Sequence, residues 1–205
     1  AANSWSNTPS VTINGVSSDV SGVEAVYYAI AGTEPSTEFD MSVPANWTKA
    51  GWTLAGGTNS WEVPLTGLSE GSRTIWIRAI DTTYNISTPL SRVFGVDTAV
   101  PSLSASTPSA NTKVGFSITG TASDSNALAA TAITVTQNKN GEGPIAIATN
   151  GPSTSDSWKN WTLANLPRDP ASIGDQAPIN GSTDGIYEYV ITATDIAGRI
   201  KQLTR

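Results

Sequence analysis

One strand pattern occurs twice in this chain, and that repeat constrains its fold more than any other feature. Val11-Thr-Ile-Asn-Gly15-Val-Ser-Ser-Asp19 returns as Phe116-Ser-Ile-Thr-Gly120-Thr-Ala-Ser-Asp124, an offset of 105 residues. Both copies run apolar, polar, apolar, polar, Gly, with an Asp four residues after the glycine. A second match joins Gly71-Ser-Arg-Thr-Ile-Trp-Ile-Arg-Ala-Ile-Asp81 to Gly185-Ile-Tyr-Glu-Tyr-Val-Ile-Thr-Ala-Thr-Asp195. Here Ile75, Ile77 and Ala79 align with Tyr189, Ile191 and Ala193. A third aligns Trp61, Leu65 and Leu68 with Trp158, Leu163 and Leu166. Apolar residues at every second position line one face of a strand, so each copy predicts sheets with one side buried. An ordered repeat of this length predicts two domains, residues 1–98 and 99–205.

Composition agrees with strands. Charged residues make up only 14%, while Thr, Val, Ser, Asn and Gly are abundant, a mixture that suits pleated surfaces and turns. With no cysteine, a disulfide framework, a thiol nucleophile and a thiolate metal site are all excluded. With no histidine, the side chain best suited to proton transfer near neutral pH is missing. Eleven basic residues against 17 acidic ones leave a net charge of −6, which repels a phosphate backbone and argues against nucleic acid as a partner. No apolar run approaches the roughly 18 residues that span a bilayer, so membrane insertion of this segment is not expected. No signal peptide opens the chain, which fits a piece of a longer exported protein.

Val96-Asp97-Thr98-Ala99-Val100-Pro101 resembles the short Asp-Thr-x-x-Pro linker between bacterial immunoglobulin-like (Big-type) repeats. Gly120-Thr-Ala-Ser-Asp124 looks like that family's second-strand ending. Ala79-Ile-Asp81 and Ala193-Thr-Asp195-Ile-Ala-Gly198 look like its sixth-strand ending. The resemblance implies an all-β chain of two tandem immunoglobulin-like or fibronectin III-like Greek-key sandwiches, each of about seven strands. In the second module strands are expected near residues 102–106, 113–121, 130–137, 145–149, 158–163, 186–193 and 199–203. The first module's second-strand match begins at Ser10, so its first strand is expected to be missing or reduced to Ala1–Ser6, leaving an unpaired sheet edge. Two connections are long: 31–60, with Phe39, Met41, Trp47 and Trp52, and the proline-containing stretch 167–184.

In such a sandwich the turns after the second and sixth strands lie at the end where the first strand enters. Asp124 and Asp195 are therefore expected to converge near the linker residue Asp97, an oxygen cluster suited to a hard cation such as Ca²⁺. The competing reading is that each Asp caps its own turn through backbone N–H groups. Asp19 and Asp81 are the equivalent pair in the first module. Trp47 and Trp52, with Trp61, suggest an aromatic platform for sugar rings, although Trp61 and Trp158 hold matching repeat positions, which suggests packing. Trp76 falls on the face opposite Ile75 and Ile77, outside or beneath the expanded loop. No carboxylate pair is marked out for glycoside hydrolysis, and without histidine a Ser or Thr nucleophile lacks its usual base.

The expected role is thus a non-catalytic structural or adhesive segment of a bacterial cell-surface or secreted protein, a stalk or spacer whose partners are neighbouring repeats. The alternative is a module binding surface carbohydrate or a host protein, or an accessory domain of a large extracellular polysaccharide-degrading enzyme.

Overall fold

Alternation sets the strands. In the first unit they are β1 (Ser4–Ser6), β2 (Val11–Val16), β3 (Val23–Ile30), β4 (Thr53–Leu54), β5 (Ser60–Leu65), β6 (Gly71–Asp81) and β7 (Leu90–Val96), with one short helix, α1 (Pro44–Lys49). In the second they are β8 (Ser102–Ala105), β9 (Phe116–Ser123), β10 (Leu128–Lys139), β11 (Pro144–Ala146), β12 (Asn160–Leu166), β13 (Tyr187–Asp195) and β14 (Ile200–Thr204). These come from a computed structural model that describes residues 4–38, 40, 42–109, 112, 115–147, 151–167 and 185–205. The chain divides at residues 98 and 99 into two compact units. Phe39, Met41, Lys113 and nearly all of the proline-containing stretch expected as a long connection lie outside the described residues.

In the first unit, one sheet has the order β1-β7-β6-β3-β4 and the other pairs β2 with β5. In the second, β11-β10-β13-β14 faces β12-β9-β8. Each unit is therefore a two-sheet β-sandwich, the expected fold class. Buried alternate positions meet between the sheets. Val26, Ile75, Ile77 and Phe94 pack on Trp61, Val63 and Leu65 in the first unit. Ile133, Val135, Tyr189, Ile191 and Ala193 pack on Ile118, Trp161, Leu163 and Leu166 in the second. Burial of each large apolar side chain stabilises its unit by roughly 1.5–3 kcal/mol.

The first strand of the first unit is reduced, not missing. Ser4–Ser6 runs parallel to β7, with Ser4 opposite Phe94 and Ser6 opposite Val96. In the second unit β8 instead runs antiparallel to β9. The outer edge of β2 consequently carries no partner strand among the described residues, as the shortened N-terminal match implies.

The tryptophan alignment needs correction. Gly15 pairs with Trp61 across β2 and β5, and Gly120 pairs with Trp161 across β9 and β12. In both places the indole occupies the space of the missing side chain: a Cβ would lie 2.3 Å from Trp61 Cζ2 at Gly15 and 2.4 Å from Trp161 Cζ2 at Gly120. Trp161, not Trp158, is the structural equivalent of Trp61. Trp158 lies in the preceding turn with φ 73°; its backbone N–H donates to Thr154 Oγ1 and its indole N–H to Ala130 O.

A second apolar layer covers the outer face of the first unit's larger sheet. Tyr27, Ala29 and Ile80 from that face pack with Trp47 and Trp52, joined by Trp76. The expanded connection supplies this layer. Pro44 starts α1, where a missing N–H costs nothing, and Trp47 on that helix turns inward. Arg78 on β6 holds the start of the connection through Glu34, at 2.5 Å, and Trp76 Nε1 donates to Ala31 O at 3.1 Å.

Candidate functional site

The sugar platform expected of Trp47 and Trp52 is not formed. Trp47 is 0% and Trp52 1% exposed, and their rings meet edge to face at 83°. Trp47 stacks on Tyr27 with centroids 4.1 Å apart, while Trp52 Nε1 donates to Ser36 O. The physical reason is the outer sheet face beneath them: Tyr27, Ala29 and Trp76 make it apolar, and burying a large indole there gains more than presenting it to water. Trp61 lies inside the sandwich. A cleft of about 560 Å³ beside β2 and β5 is lined in part by Asn14, Val16, Ser60 and Glu62. Among the described residues that line it, Glu62 is the single carboxylate, whereas glycoside hydrolysis uses a pair.

The strand-ending aspartates have distinct surroundings. Asp81 is fully engaged by its own turn: Oδ1 accepts from Thr83 N, Thr83 Oγ1 and Asn85 N, and Oδ2 accepts from Asn85 Nδ2 at 2.8 Å. The Asn85 amide is the largest cause holding its pKa down, at about 2, with the N–H of Asn85 and the donors of Thr83 adding to it. Asp156 has similar support, its pKa lowered chiefly by the backbone and side-chain amides of Asn160. Asp19 accepts from Ser21 N at 2.7 Å.

Asp195 and Asp124 differ. Asp195 Oδ1 accepts from Ala197 N and Arg199 N, each at 2.8 Å. Its Oδ2 is buried without a hydrogen-bond partner, on a residue 1% exposed. Asp124, half-buried in the turn after β9, accepts from Asn126 N at 2.8 Å and brings a carboxylate oxygen within 4.8 Å of one from Asp195. Asp97 follows β7 as a buried residue, and its N–H donates to Ser6 O at 2.9 Å. The second unit thus brings Asp124 and Asp195 together. Turn capping accounts for one oxygen of each and leaves Oδ2 of Asp195 without a role. Sequence reasoning did not single out the asparagines that close the other two turns, although the Asp-x-x-x-Asn spacing at 81–85 and 156–160 was there to be read.

No family model and no curated protein sequence matches this chain. Among solved structures, it is similar to the fibronectin(III)-like modules of Clostridium thermocellum CbhA, at 15% identity and a TM-score of 0.49, covering 98% of this chain and 85% of that one. It is also similar to the FN1–FN3 domains of chicken CNTN1 (12% identity, TM-score 0.34, 98% and 65% covered) and to extracellular domains 3–5 of Drosophila OTK (10% identity, TM-score 0.38, 100% and 57% covered).

Proposed function

We propose that this chain is a non-catalytic spacer segment of an extracellular bacterial repeat protein of the Big type, with Asp124 and Asp195 of its second unit as ligands of a hard cation such as Ca²⁺. The observation that supports the reading is where the chemically capable side chains are used. Trp47, Trp52, Trp61 and Trp161 fill cores, and Asp81 and Asp156 close turns. Little is left over for a substrate. Asp195 is the exception, since a buried, unsatisfied carboxylate oxygen beside a second carboxylate is costly until something positive neutralises it. A cation held by Asp124 and Asp195 would tie together the turns after β9 and β13 and stiffen the second unit. Carbohydrate binding loses its main support with the burial of Trp47 and Trp52.

Thermal melting with Ca²⁺ and with a chelator tests the cation, which should raise the melting point of the second unit. Identical profiles in both conditions would remove the cation from the reading. Retention of the chain on polysaccharide affinity gels, lost on substitution of an exposed aromatic residue such as Tyr84, would replace the spacer by a binding module.

A further inference from the structure

Three turns among the described residues share one arrangement, an aspartate whose Oδ1 accepts the backbone N–H of the residue four positions later. Asp81 accepts from Asn85, Asp156 from Asn160 and Asp195 from Arg199, each at 2.8 Å. In the first two that fourth residue is asparagine, and its side-chain amide donates to Oδ2, at 2.8 Å from Asn85 and 2.5 Å from Asn160. These turns are closed, with both carboxylate oxygens satisfied by hydrogen-bond donors of the turn itself. In the third turn the position is Arg199, no amide reaches Oδ2, and that oxygen stays buried without a donor. Asp124 then brings a carboxylate oxygen within 4.8 Å of one from Asp195.

Ca²⁺–oxygen bonds are about 2.4 Å long, so one ion between two carboxylate oxygens spans up to about 4.8 Å. The same ion would satisfy Oδ2 and remove the repulsion between the two acids. Resting on the cation reading above, we propose that the residue four positions after the aspartate is the selector: asparagine closes the turn, and Arg199, by supplying no amide to Oδ2, leaves the turn of Asp195 open to Ca²⁺. Arg199→Asn would satisfy Oδ2 with an amide hydrogen bond, as Asn85 and Asn160 do for their aspartates.

The test uses the full chain, with calcium chloride as the titrant in calorimetry and in thermal melts, and near-UV circular dichroism to confirm folding. Wild type is expected to bind Ca²⁺ in the range typical of extracellular modules, about 10⁻⁴–10⁻³ M, and to melt several degrees higher in its presence. Arg199→Asn should weaken binding by ~10-fold or more and raise the calcium-free melting point. Arg199→Ala provides no amide and should bind within a few-fold of wild type. Loss of binding in Asp195→Asn together with full binding in Arg199→Asn would overturn the selector and leave the cation reading standing, as would loss of binding in Arg199→Ala. If wild type takes no Ca²⁺ at millimolar concentration, both fall.

Discussion

Asp81 and Asp195 end matching strands, yet one carries a depressed pKa and the other an oxygen without a donor. The difference lies in two side chains, Asn85 and Arg199. For Asp81 the consequence is a pH dependence. Its folded pKa, about 2, lies below the ordinary 3.8. Its contribution to stability is therefore complete above pH ~4 and lost as pH falls through 3.8 toward 2, where the unfolded chain binds the proton first. Asp81→Asn should be less stable than wild type at pH 7 and should approach it by pH 2. Chemical denaturation at a series of pH values measures this, and parallel curves from pH 5 to pH 2 would refute it. Gly120 is a second residue with a defined constraint. A Cβ there would lie 2.0 Å from Ser104 O and 2.4 Å from Trp161 Cζ2, and neither backbone nor buried indole can yield cheaply. Gly120→Ala should destabilise the second unit by about 1–3 kcal/mol, read as a lower urea midpoint.

At the level of elements, the strands were legible because alternation records which face is buried. β2, β6, β9 and β13 lie where Val11–Val16, Gly71–Asp81, Phe116–Ser123 and Tyr187–Asp195 alternate. Two features escaped. The alignment of Trp61 with Trp158 followed residue type through a region where the turn Asp156–Asn160 intervenes, so the strand tryptophan is Trp161. The second was the fate of the expanded connection. A run bearing Trp47 and Trp52 reads equally well as a binding surface or a covering layer, because sequence spacing does not show that the outer face of β3 and β6 is apolar. That face is Ala25, Tyr27, Ala29 and Trp76, and α1 lies over it. Trp47→Ala would remove the stack on Tyr27 and empty the centre of this layer, at a cost of about 3–5 kcal/mol. Trp158→Ala, at a half-buried turn position, should cost clearly less than Trp161→Ala, whose side chain is 2% exposed. Equal losses at 158 and 161, measured by equilibrium unfolding, would mean that the strand assignment is wrong.

For the whole molecule, the question is what a cation would do that the folded units do not already do. Each unit closes its own apolar core, with Trp61 and Trp161 each at the centre of a separate cluster. Fragments 1–98 and 99–205 should therefore each unfold cooperatively when made separately, because the core residues named above for each unit come from that unit's own strands. Calcium then belongs to the second unit, since residues 99–205 keep Asp124, Asp195 and the open Oδ2. The fragment 99–205 should bind Ca²⁺ within a few-fold of the whole chain, and Asp124→Asn in it should weaken binding. A carboxylate contributes charge as well as an oxygen, so the amide is not an adequate replacement for a hard ion. Calorimetric titration of the fragment and its variant measures this, and unchanged affinity in Asp124→Asn would leave Asp195 as the one carboxylate holding the ion.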